Sequence, residues 1–348
     1  MSSATGTPAP VGIDPGPIEA WFRAHVPEAR PPLHYDRVAG GHSCLTYVVT
    51  DAGGGRFVLR RPPLGTVLAT AHDVAREHTV MSALRDTAVP VPPMLGLCRD
   101  EAVNGAPFYV MGFVDGVVPH TAGDVEALLP AEEARRRAAE TLVDALVALH
   151  AVDIDAVGLD GYGRRFGYLD RQLRRWSTQW AASKTRELPE MERLHAWLVE
   201  HRPAEPETCV VHGDFRLGNA LHAPDGTTLA VLDWELSTLG DPLADVSYLL
   251  RSWATPADAA GGAGPPAAAP GFPTADELAA RYAAASGRAL DDLAYWTALN
   301  AWRSAAIAEG VYRRYIDGKM GEAPANVERY ARMVEFTARQ GLIAAGLA

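Results

Sequence analysis

Two short apolar runs that each end in an aspartate constrain the fold of this 348-residue chain most strongly. Residues 210–211 lead towards Asp214, and residues 229–232 lead into Asp233. Short apolar runs bounded by turn residues are typical of buried strands. Between them lies Asp225-Gly226, a strong signal for a hairpin turn. We therefore expect a hairpin that brings Asn219 and Asp233 near each other and near Asp214.

Asn219 follows Asp214 with the spacing D-x4-N, which matches the catalytic loop of protein kinases. Transfer of a phosphoryl group to a hydroxyl needs one carboxylate that accepts or orients the hydroxyl proton. It also needs a carboxylate and an amide oxygen that hold the magnesium ion bridging the phosphates. Asp214, Asn219 and Asp233 supply this set. Asp214 alone could be a turn residue after a strand, but the joint pattern favours phosphoryl transfer.

The wider motif resembles a known superfamily. His212-Gly-Asp-x4-Asn219, Leu232-Asp-Trp-Glu235 and Gly240-Asp-Pro-x2-Asp245 closely resemble the aminoglycoside phosphotransferase / choline kinase superfamily. The most similar branch occurs alone in bacteria or fused to acyl-CoA dehydrogenases. The resemblance covers roughly residues 30–340 and is most specific over residues 209–250. It implies an α+β, bilobal protein-kinase-like fold, with a small β-rich N-lobe containing one helix and a larger, mainly helical C-lobe.

The pattern along the chain fits this layout. Residues 1–17 are rich in Pro, Gly, Ser and Ala and are predicted to be a flexible leader. Residues 18–114 are predicted to form the N-terminal nucleotide-binding lobe, with strands near 45–50, 56–60 and 107–114 and a helix near 70–85. Residues 115–348 are predicted to form the catalytic and substrate-binding lobe, with helices over 130–152, over 166–201 and from 275 onward.

The resemblance assigns roles to residues of the C-lobe. It implies that Asp214 is the catalytic base, and that Asn219 and Asp233 are the magnesium ligands. His212 and Asp245 would support the loop rather than react. Independently of the resemblance, Asp241 followed by Pro242 indicates a helix N-cap with proline at the first helical position.

The N-lobe is expected to bind ATP through a glycine-rich turn, a strand and a hinge. By the resemblance, Val58 would contact the adenine, and the strand and hinge containing Met111 and Phe113 would bind the adenine edge. The turn over the ATP phosphates would be formed by residues before the first of these strands, namely Gly40, Gly41 and Ser43.

The phosphate-binding cation departs from the kinase pattern. Alternation along the strand places Val58 and Arg60 on one face, which favours Arg60 over Arg61 as the cation. Glu77 on the following helix is the predicted ion-pair partner, although it could be an ordinary solvated residue. Kinases usually have lysine here, but no lysine precedes Lys184. Arginine can pair with phosphate oxygens yet is bulkier than lysine, which puts nucleotide affinity and rate in question.

Composition excludes several other classes. A formal net charge of -11 argues against binding nucleic acid through its phosphates. Three widely spaced cysteines without a C-x-x-C pair predict neither a disulfide framework nor a zinc site. No apolar run approaches about 18 residues and no signal peptide is visible, so we expect no membrane partner and a cytoplasmic location. Four histidines lack metal-type spacing and are expected to be surface or packing residues: His42, His72, His150 and His222.

The leading hypothesis is therefore an ATP- and magnesium-dependent kinase of a hydroxyl on a small molecule. Relatives fused to acyl-CoA dehydrogenases imply hydroxyacyl-CoA-like acceptors, whereas other members imply aminoglycosides, choline or homoserine. Arginines clustered over residues 164–175 more often form a solvated face in an arginine-rich protein, but as a patch they would favour an anionic acceptor such as a coenzyme A thioester. The second hypothesis is a pseudokinase that binds nucleotide without turnover. A third, an acyl-CoA dehydrogenase, lacks any visible flavin-binding signature.

Overall fold

The computed structural model describes residues 10–38, 44–64, 73–205, 207–254, 265–318 and 326–348. The chain forms two compact units. Unit 1 contains Met1–Asp115 and Leu229–Glu235, and unit 2 contains Gly116–Thr228 and Leu236–Ala348. The segment that carries Asp233 therefore groups with the N-terminal unit, whereas the predicted boundary placed it in the C-lobe.

Unit 1 is built on an antiparallel sheet with strand order β1-β2-β3-β5-β4. Its strands are β1 (Leu33–Arg37), β2 (Leu45–Asp51), β3 (Arg56–Arg61), β4 (Met94–Cys98) and β5 (Phe108–Gly112), and its helices are α1 (Pro15–His25), α2 (Val74–Leu84) and α3 (Glu101–Asn104). The β2–β3 hairpin is closed by Asp51, whose carboxylate accepts the backbone N–H groups of Arg30, Gly53 and Gly55. This hairpin places Arg60 opposite Thr46 in register.

Helix α1 is a feature that the sequence analysis did not predict. It begins at Pro15, so the last three residues of the predicted leader are helical. Ile18, Trp21 and Phe22 are buried at helical spacing, and the Trp21 ring meets Phe108 edge-on at 5.0 Å. The signal was present, but the surrounding Pro, Gly and Ala residues obscured it. Burial of three large apolar side chains outweighs the weak helix propensity of this segment.

Unit 2 is mainly helical. Its helices are α4 (Ala122–Leu128), α5 (Glu132–His150), α6 (Tyr168–Ser183), α7 (Pro189–Glu200), α8 (Leu243–Ala254), α9 (Ala275–Ser286), α10 (Leu293–Ile316) and α11 (Glu328–Ala344). The long helix α10 is buried along much of its length and packs against α6, α8 and α11. Two predicted helix starts are confirmed. Asp241 accepts the backbone N–H of Leu243 at 2.8 Å, and Thr274 forms a capping box with Glu277.

The two apolar runs of the sequence analysis do not pair with each other. Strand β6 (Cys209–Val211) pairs antiparallel with β9 (Thr238–Gly240), not with the run that precedes Asp233. The predicted hairpin turn at Asp225-Gly226 is confirmed, because it joins β7 (Ala220–His222) to β8 (Thr228–Val231) and these strands form a two-stranded sheet. The sequence of a short apolar strand does not indicate which strand it pairs with, because the register depends on the tertiary contacts that cover the strand.

Across the described ranges, no helix combines the length and apolar character that crossing a bilayer requires.

Candidate active site

Strand β6 of unit 2 delivers Asp214 through a tight turn. Gly213 has φ +86°, and a Cβ there would lie 2.8 Å from the carbonyl oxygen of Leu236, so only glycine fits. The carboxylate of Asp245, at the start of α8, accepts the backbone N–H groups of His212 at 2.6 Å and Gly213 at 2.8 Å. The predicted support of the loop by Asp245 is therefore present.

Asp245 is itself fully buried and held by His150. The Nε2 atom of His150 lies 3.5 Å from Asp245 Oδ2, and its Nδ1 atom bonds the Tyr282 hydroxyl at 2.7 Å. Burial opposes ionisation of Asp245, but the hydrogen bond and charge of His150, with the His212 contacts, outweigh it and lower the pKa below its ordinary value. His150 is therefore a buried packing residue that supports the carboxylate of Asp245.

Asp214 and Asn219 lie together in this loop. The side-chain Nδ2 of Asn219 donates to Asp214 Oδ2 at 2.7 Å and to the Asp214 carbonyl oxygen at 2.9 Å. Because the amide nitrogen faces Asp214, the amide oxygen of Asn219 is left to bind a cation. Arg216 lies close by, with Nε 3.6 Å from Asp214 Oδ2. One loop therefore presents a fixed carboxylate beside an oxygen ligand.

Asp233, in unit 1, has an unusual backbone. Among the described residues, Asp233 is the only non-glycine residue with a positive φ, at +66°. That conformation costs about 1–2 kcal/mol and is characteristic of functional sites. The Asp233 carboxylate accepts a hydrogen bond from Nη2 of Arg60 at 2.7 Å.

Arg60 also makes the predicted ion pair with Glu77. Its Nε lies 3.1 Å from Glu77 Oε2, and the Tyr109 hydroxyl donates to the same oxygen at 3.1 Å. The neighbouring Arg61 points elsewhere and donates to the carbonyl oxygens of Gly12 and Asn104. Of the two arginines, Arg60, which alternation along β3 favoured, is the one that pairs with Glu77; its role as the phosphate-binding cation stays a prediction.

Carboxylates outnumber cations around Arg60. Burial, followed by the charges of Asp233 and Glu235, raises the pKa of Glu77 to about 7 although Arg60 opposes this shift. Cys44, Glu77 and Glu235 each place one ligand atom within 4.8 Å of the others. Within the described residues, Glu77 Oε1 is buried without a hydrogen-bond partner. An excess of carboxylate oxygens suits a divalent cation such as magnesium.

The predicted adenine contacts lie on the neighbouring strands. Val58 pairs with Met111 across β3 and β5, so both side chains point to one face of the sheet. Phe113 follows β5, and the Arg56 guanidinium lies 3.9 Å from the centre of its ring. The predicted phosphate turn lies outside the described residues, and so do its three members: Gly40, Gly41 and Ser43.

A cavity of about 850 Å³ in unit 2 adjoins the catalytic loop. Arg216 of that loop lines one part of it, and the rest is lined mainly by α8, α10 and α11. Most of the wall is apolar and includes Ile307, Met333 and Phe336, while Arg251 adds a cation. By contrast, two arginines of the 164–175 cluster bond to the protein itself: Arg165 pairs with Asp155, and Arg171 donates to backbone carbonyl oxygens.

Sequence reasoning missed several residues around Asp214 and Arg60. Burial and the charge of Asp214 raise the pKa of Tyr248 to about 12. Arg303 donates to the carbonyl oxygen of Gly213 at 2.8 Å. Tyr248 follows Asp245 by three positions on α8, a spacing that shares a helix face and could have signalled it. Glu235 stands inside the quoted Leu232-Asp-Trp-Glu235 motif, but its spacing alone gave it no role. Arg303 carried no signal, because it is one arginine in a long helix.

A small antiparallel sheet with a buried Arg–Glu pair, together with a helical unit presenting a supported Asp–Asn loop, defines a phosphotransferase of the protein-kinase-like class. The chain belongs to the phosphotransferase enzyme family, whose sequence pattern matches residues 34–302.

Individual relatives agree with this assignment. A crystal structure from Ralstonia eutropha, named provisionally as an aminoglycoside phosphotransferase, has a TM-score of 0.80 and 34% identity, covering 96% of this chain and 98% of that one. The complex of aminoglycoside phosphotransferase APH(4)-Ia with ADP and hygromycin B shares the fold, with a TM-score of 0.60 and 17% identity, covering 93% of this chain and 98% of that one. Acyl-CoA dehydrogenase family member 10 of Mus musculus is 39% identical over 292 residues, covering 82% of this chain but only 27% of that protein.

Proposed function

We propose that this chain transfers the γ-phosphoryl group of ATP to the hydroxyl of a small molecule in a magnesium-dependent reaction. The observation that carries the proposal is the Asp214–Asn219 loop, in which the carboxylate is fixed by the amide of Asn219 at 2.7 Å. The loop backbone is in turn held by the buried carboxylate of Asp245. A catalytic base has to meet its hydroxyl within hydrogen-bond reach, and a rigid loop supplies that precision.

The residues would divide the work as follows. Asp214 would orient the acceptor hydroxyl and accept its proton as the new O–P bond forms and the bond from the γ-phosphorus to the departing ADP breaks. Asn219 and Asp233 provide oxygen ligands for magnesium, which when bound neutralises charge on the β- and γ-phosphates. Arg60, held by Glu77, pairs with phosphate oxygens from its own unit.

The nucleotide would be bound by unit 1. Val58 and Met111 present an apolar face for the adenine, and the backbone near Phe113 supplies polar groups for its edge. Gly40, Gly41 and Ser43 would form the turn over the phosphates. The fold shared with a phosphotransferase that binds ADP supports this assignment.

For the acceptor we favour a hydroxyacyl-CoA-like molecule. The cavity beside the catalytic loop is mostly apolar and carries Arg216 and Arg251, which suits an anionic acceptor with an apolar part. A polycationic aminoglycoside would meet repulsion from these arginines. The relative named as an acyl-CoA dehydrogenase family member points the same way. An aminoglycoside or amino-alcohol kinase is the alternative, favoured by the provisional name of the Ralstonia structure.

A second candidate is a pseudokinase that binds nucleotide without turnover. The observation that favours it is the contact of 2.7 Å between Arg60 and Asp233, because this contact occupies a carboxylate that a magnesium ion would need. The intact set of Asp214, Asn219 and Asp233 opposes it.

A transfer assay with γ-³²P-labelled ATP and magnesium tests the proposal. Wild-type protein is incubated with 3-hydroxybutyryl-CoA, kanamycin or choline, alongside Asp214→Asn and the exposed control Asp160→Asn. We expect a labelled acyl-CoA product with wild type and the control, and a loss of about 10²–10⁴-fold with Asp214→Asn. Equal transfer by Asp214→Asn would exclude Asp214 as the base. Tight ATP binding with no labelled product from any acceptor would favour the pseudokinase.

A further inference from the structure

Three potential metal ligands of unit 1 converge beside Arg60. They are the thiol of Cys44, just before β2, and the carboxylates of Glu77 on α2 and of Glu235, two residues after Asp233. Each side chain offers one ligand atom, and the three atoms lie within 4.8 Å of one another. They come from three distant parts of the chain, so the spacing of the cysteines in the sequence gave no indication of this cluster.

Glu77 has one carboxylate oxygen left for a ligand. The side chain is buried, and within the described part of the chain its Oε1 atom has no hydrogen-bond partner. The other oxygen, Oε2, accepts the Tyr109 hydroxyl at 3.1 Å and lies 3.1 Å from Arg60 Nε. A buried carboxylate oxygen without a partner destabilises the fold, because its hydration is lost and nothing replaces it. A cation bound at Oε1 would remove that cost.

The contacts at Oε2 orient the Glu77 carboxylate for this role. Metal-binding side chains in proteins are usually held by hydrogen bonds from residues that do not touch the metal. Tyr109 is buried, and Arg60 is held in turn by Asp233 at 2.7 Å. A cation at Oε1 would therefore leave both contacts of Oε2 in place.

Charge and the sulfur atom decide which cation fits. The carboxylates of Glu77, Glu235 and Asp233 lie near the single guanidinium of Arg60, so a divalent cation would balance the excess negative charge. Oxygen ligands alone would suit magnesium, but Cys44 adds a sulfur, which favours zinc over magnesium. Zinc binds sulfur at about 2.3 Å and carboxylate oxygen at about 2.0–2.2 Å, so small side-chain rotations would close the cluster around it.

The Cys44 thiol would lose its proton when the metal binds. Burial raises the pKa of Cys44 to about 12, so the thiol is protonated at neutral pH in the absence of metal. A coordinating thiol is deprotonated: the S–H bond breaks, a sulfur–metal bond forms, and the proton passes to solvent. Glu235 is only half-buried, so the cluster can exchange ions and protons with solvent on its side.

We propose that Cys44, Glu77 and Glu235 form a binding site for a thiophilic divalent cation such as zinc. Three protein ligands leave a fourth position of the tetrahedron for water. The residues assigned above to proton transfer and to magnesium are not among these ligands. The proposal therefore goes beyond the proposed function and can be tested without ATP or an acceptor.

Cobalt(II) alone is the probe, because it accepts the same ligands as zinc and a cobalt–thiolate bond absorbs in the near ultraviolet. The full chain is freed of metal with a chelator and titrated with CoCl₂ as wild type, Cys44→Ser, Glu235→Gln and the control Cys98→Ser. Cys98 is also a buried cysteine of unit 1, but among the described residues it belongs to no such group of ligands. Urea unfolding followed by tryptophan fluorescence checks that each variant folds.

We expect a stoichiometric near-ultraviolet band in wild type and Cys98→Ser, and no band in Cys44→Ser. Glu235→Gln should bind cobalt at least about tenfold more weakly, and this variant decides the question if Cys44→Ser does not fold. Zinc should displace the cobalt, whereas excess magnesium should not. Absence of the band in wild type, its survival in Cys44→Ser, an unchanged affinity in Glu235→Gln, or displacement by magnesium would overturn the inference.

Discussion

Replacement of Asp245 by asparagine removes the charge that holds the catalytic loop while keeping the size of the side chain. In the native protein both carboxylate oxygens are used, with the N–H of His212 at 2.6 Å and that of Gly213 at 2.8 Å. Asparagine has one acceptor oxygen, so one of these N–H groups would face an amide NH₂ instead. Because Asp245 is fully buried, no water can replace the lost acceptor.

The cost follows from these contacts. A hydrogen bond to a charged group contributes about 1.5–3 kcal/mol, and an unsatisfied buried donor costs about 1–3 kcal/mol more. The remaining bond also weakens when its acceptor becomes neutral. We therefore expect Asp245→Asn to lower the free energy of unfolding by about 3–5 kcal/mol, the range found when a buried ionic contact loses one partner.

Urea unfolding followed by tryptophan fluorescence at pH 7 measures this change, since Trp234, Trp296 and Trp302 are buried reporters. The control is Asp144→Asn, which breaks an exposed ion pair with Arg281 and should cost no more than about 1 kcal/mol. A loss for Asp245→Asn no larger than that of the control would refute the reasoning.

The pH dependence of the Asp245→Asn effect provides a second check. Folding lowers the pKa of Asp245, so its ionised form stabilises the folded state when the pH lies above about 3.9, the pKa of an aspartate in the unfolded chain. That contribution is lost as the pH falls below this value. The difference between wild type and Asp245→Asn should therefore shrink in acid, and a constant difference would contradict the assigned cause.

Three further predictions concern unit 1 and the turns. Arg60→Met should cost about 3–5 kcal/mol in urea unfolding because Glu77 loses its ion-pair partner, and Arg60→Lys should recover most of it; equal losses would contradict this. Because folding raises the pKa of Glu77 to about 7, the unfolding free energy in metal-free buffer should fall as the pH rises from about 4.3 to about 7, and Glu77→Gln should lack that slope. Gly226→Ala should destabilise more than Gly54→Ala: both have positive φ, but only at Gly226 would a Cβ meet a backbone atom, the Ala134 carbonyl oxygen at 1.9 Å. Equal values of Tm would contradict that steric argument.

The sequence was sufficient to predict the fold class and the ion pair between Arg60 and Glu77 in unit 1. Strand alternation selected Arg60, and a single helix position supplied Glu77, because both signals are local and periodic. The helix starts at Asp241 and Thr274 were predictable for the same reason, since capping depends on neighbouring residues.

The pairing of β6 and the contact that Arg303 makes with the loop were not predictable in this way. The partner of β6 is a strand whose three residues, Thr238–Gly240, have no distinctive pattern. Arg303 reaches the carbonyl oxygen of Gly213 from α10, a helix that is distant in sequence. Contacts of this kind depend on how helices pack, and nothing in the local sequence encodes them.

The account depends most directly on Asp214. Label transfer from γ-³²P-ATP to 3-hydroxybutyryl-CoA, measured at saturating ATP and magnesium for wild type and Asp214→Asn, tests it in one experiment. The account predicts a labelled acyl-CoA with wild type and a kcat about 10²–10⁴-fold lower with Asp214→Asn, at an unchanged affinity for ATP. The same kcat in both proteins would contradict it.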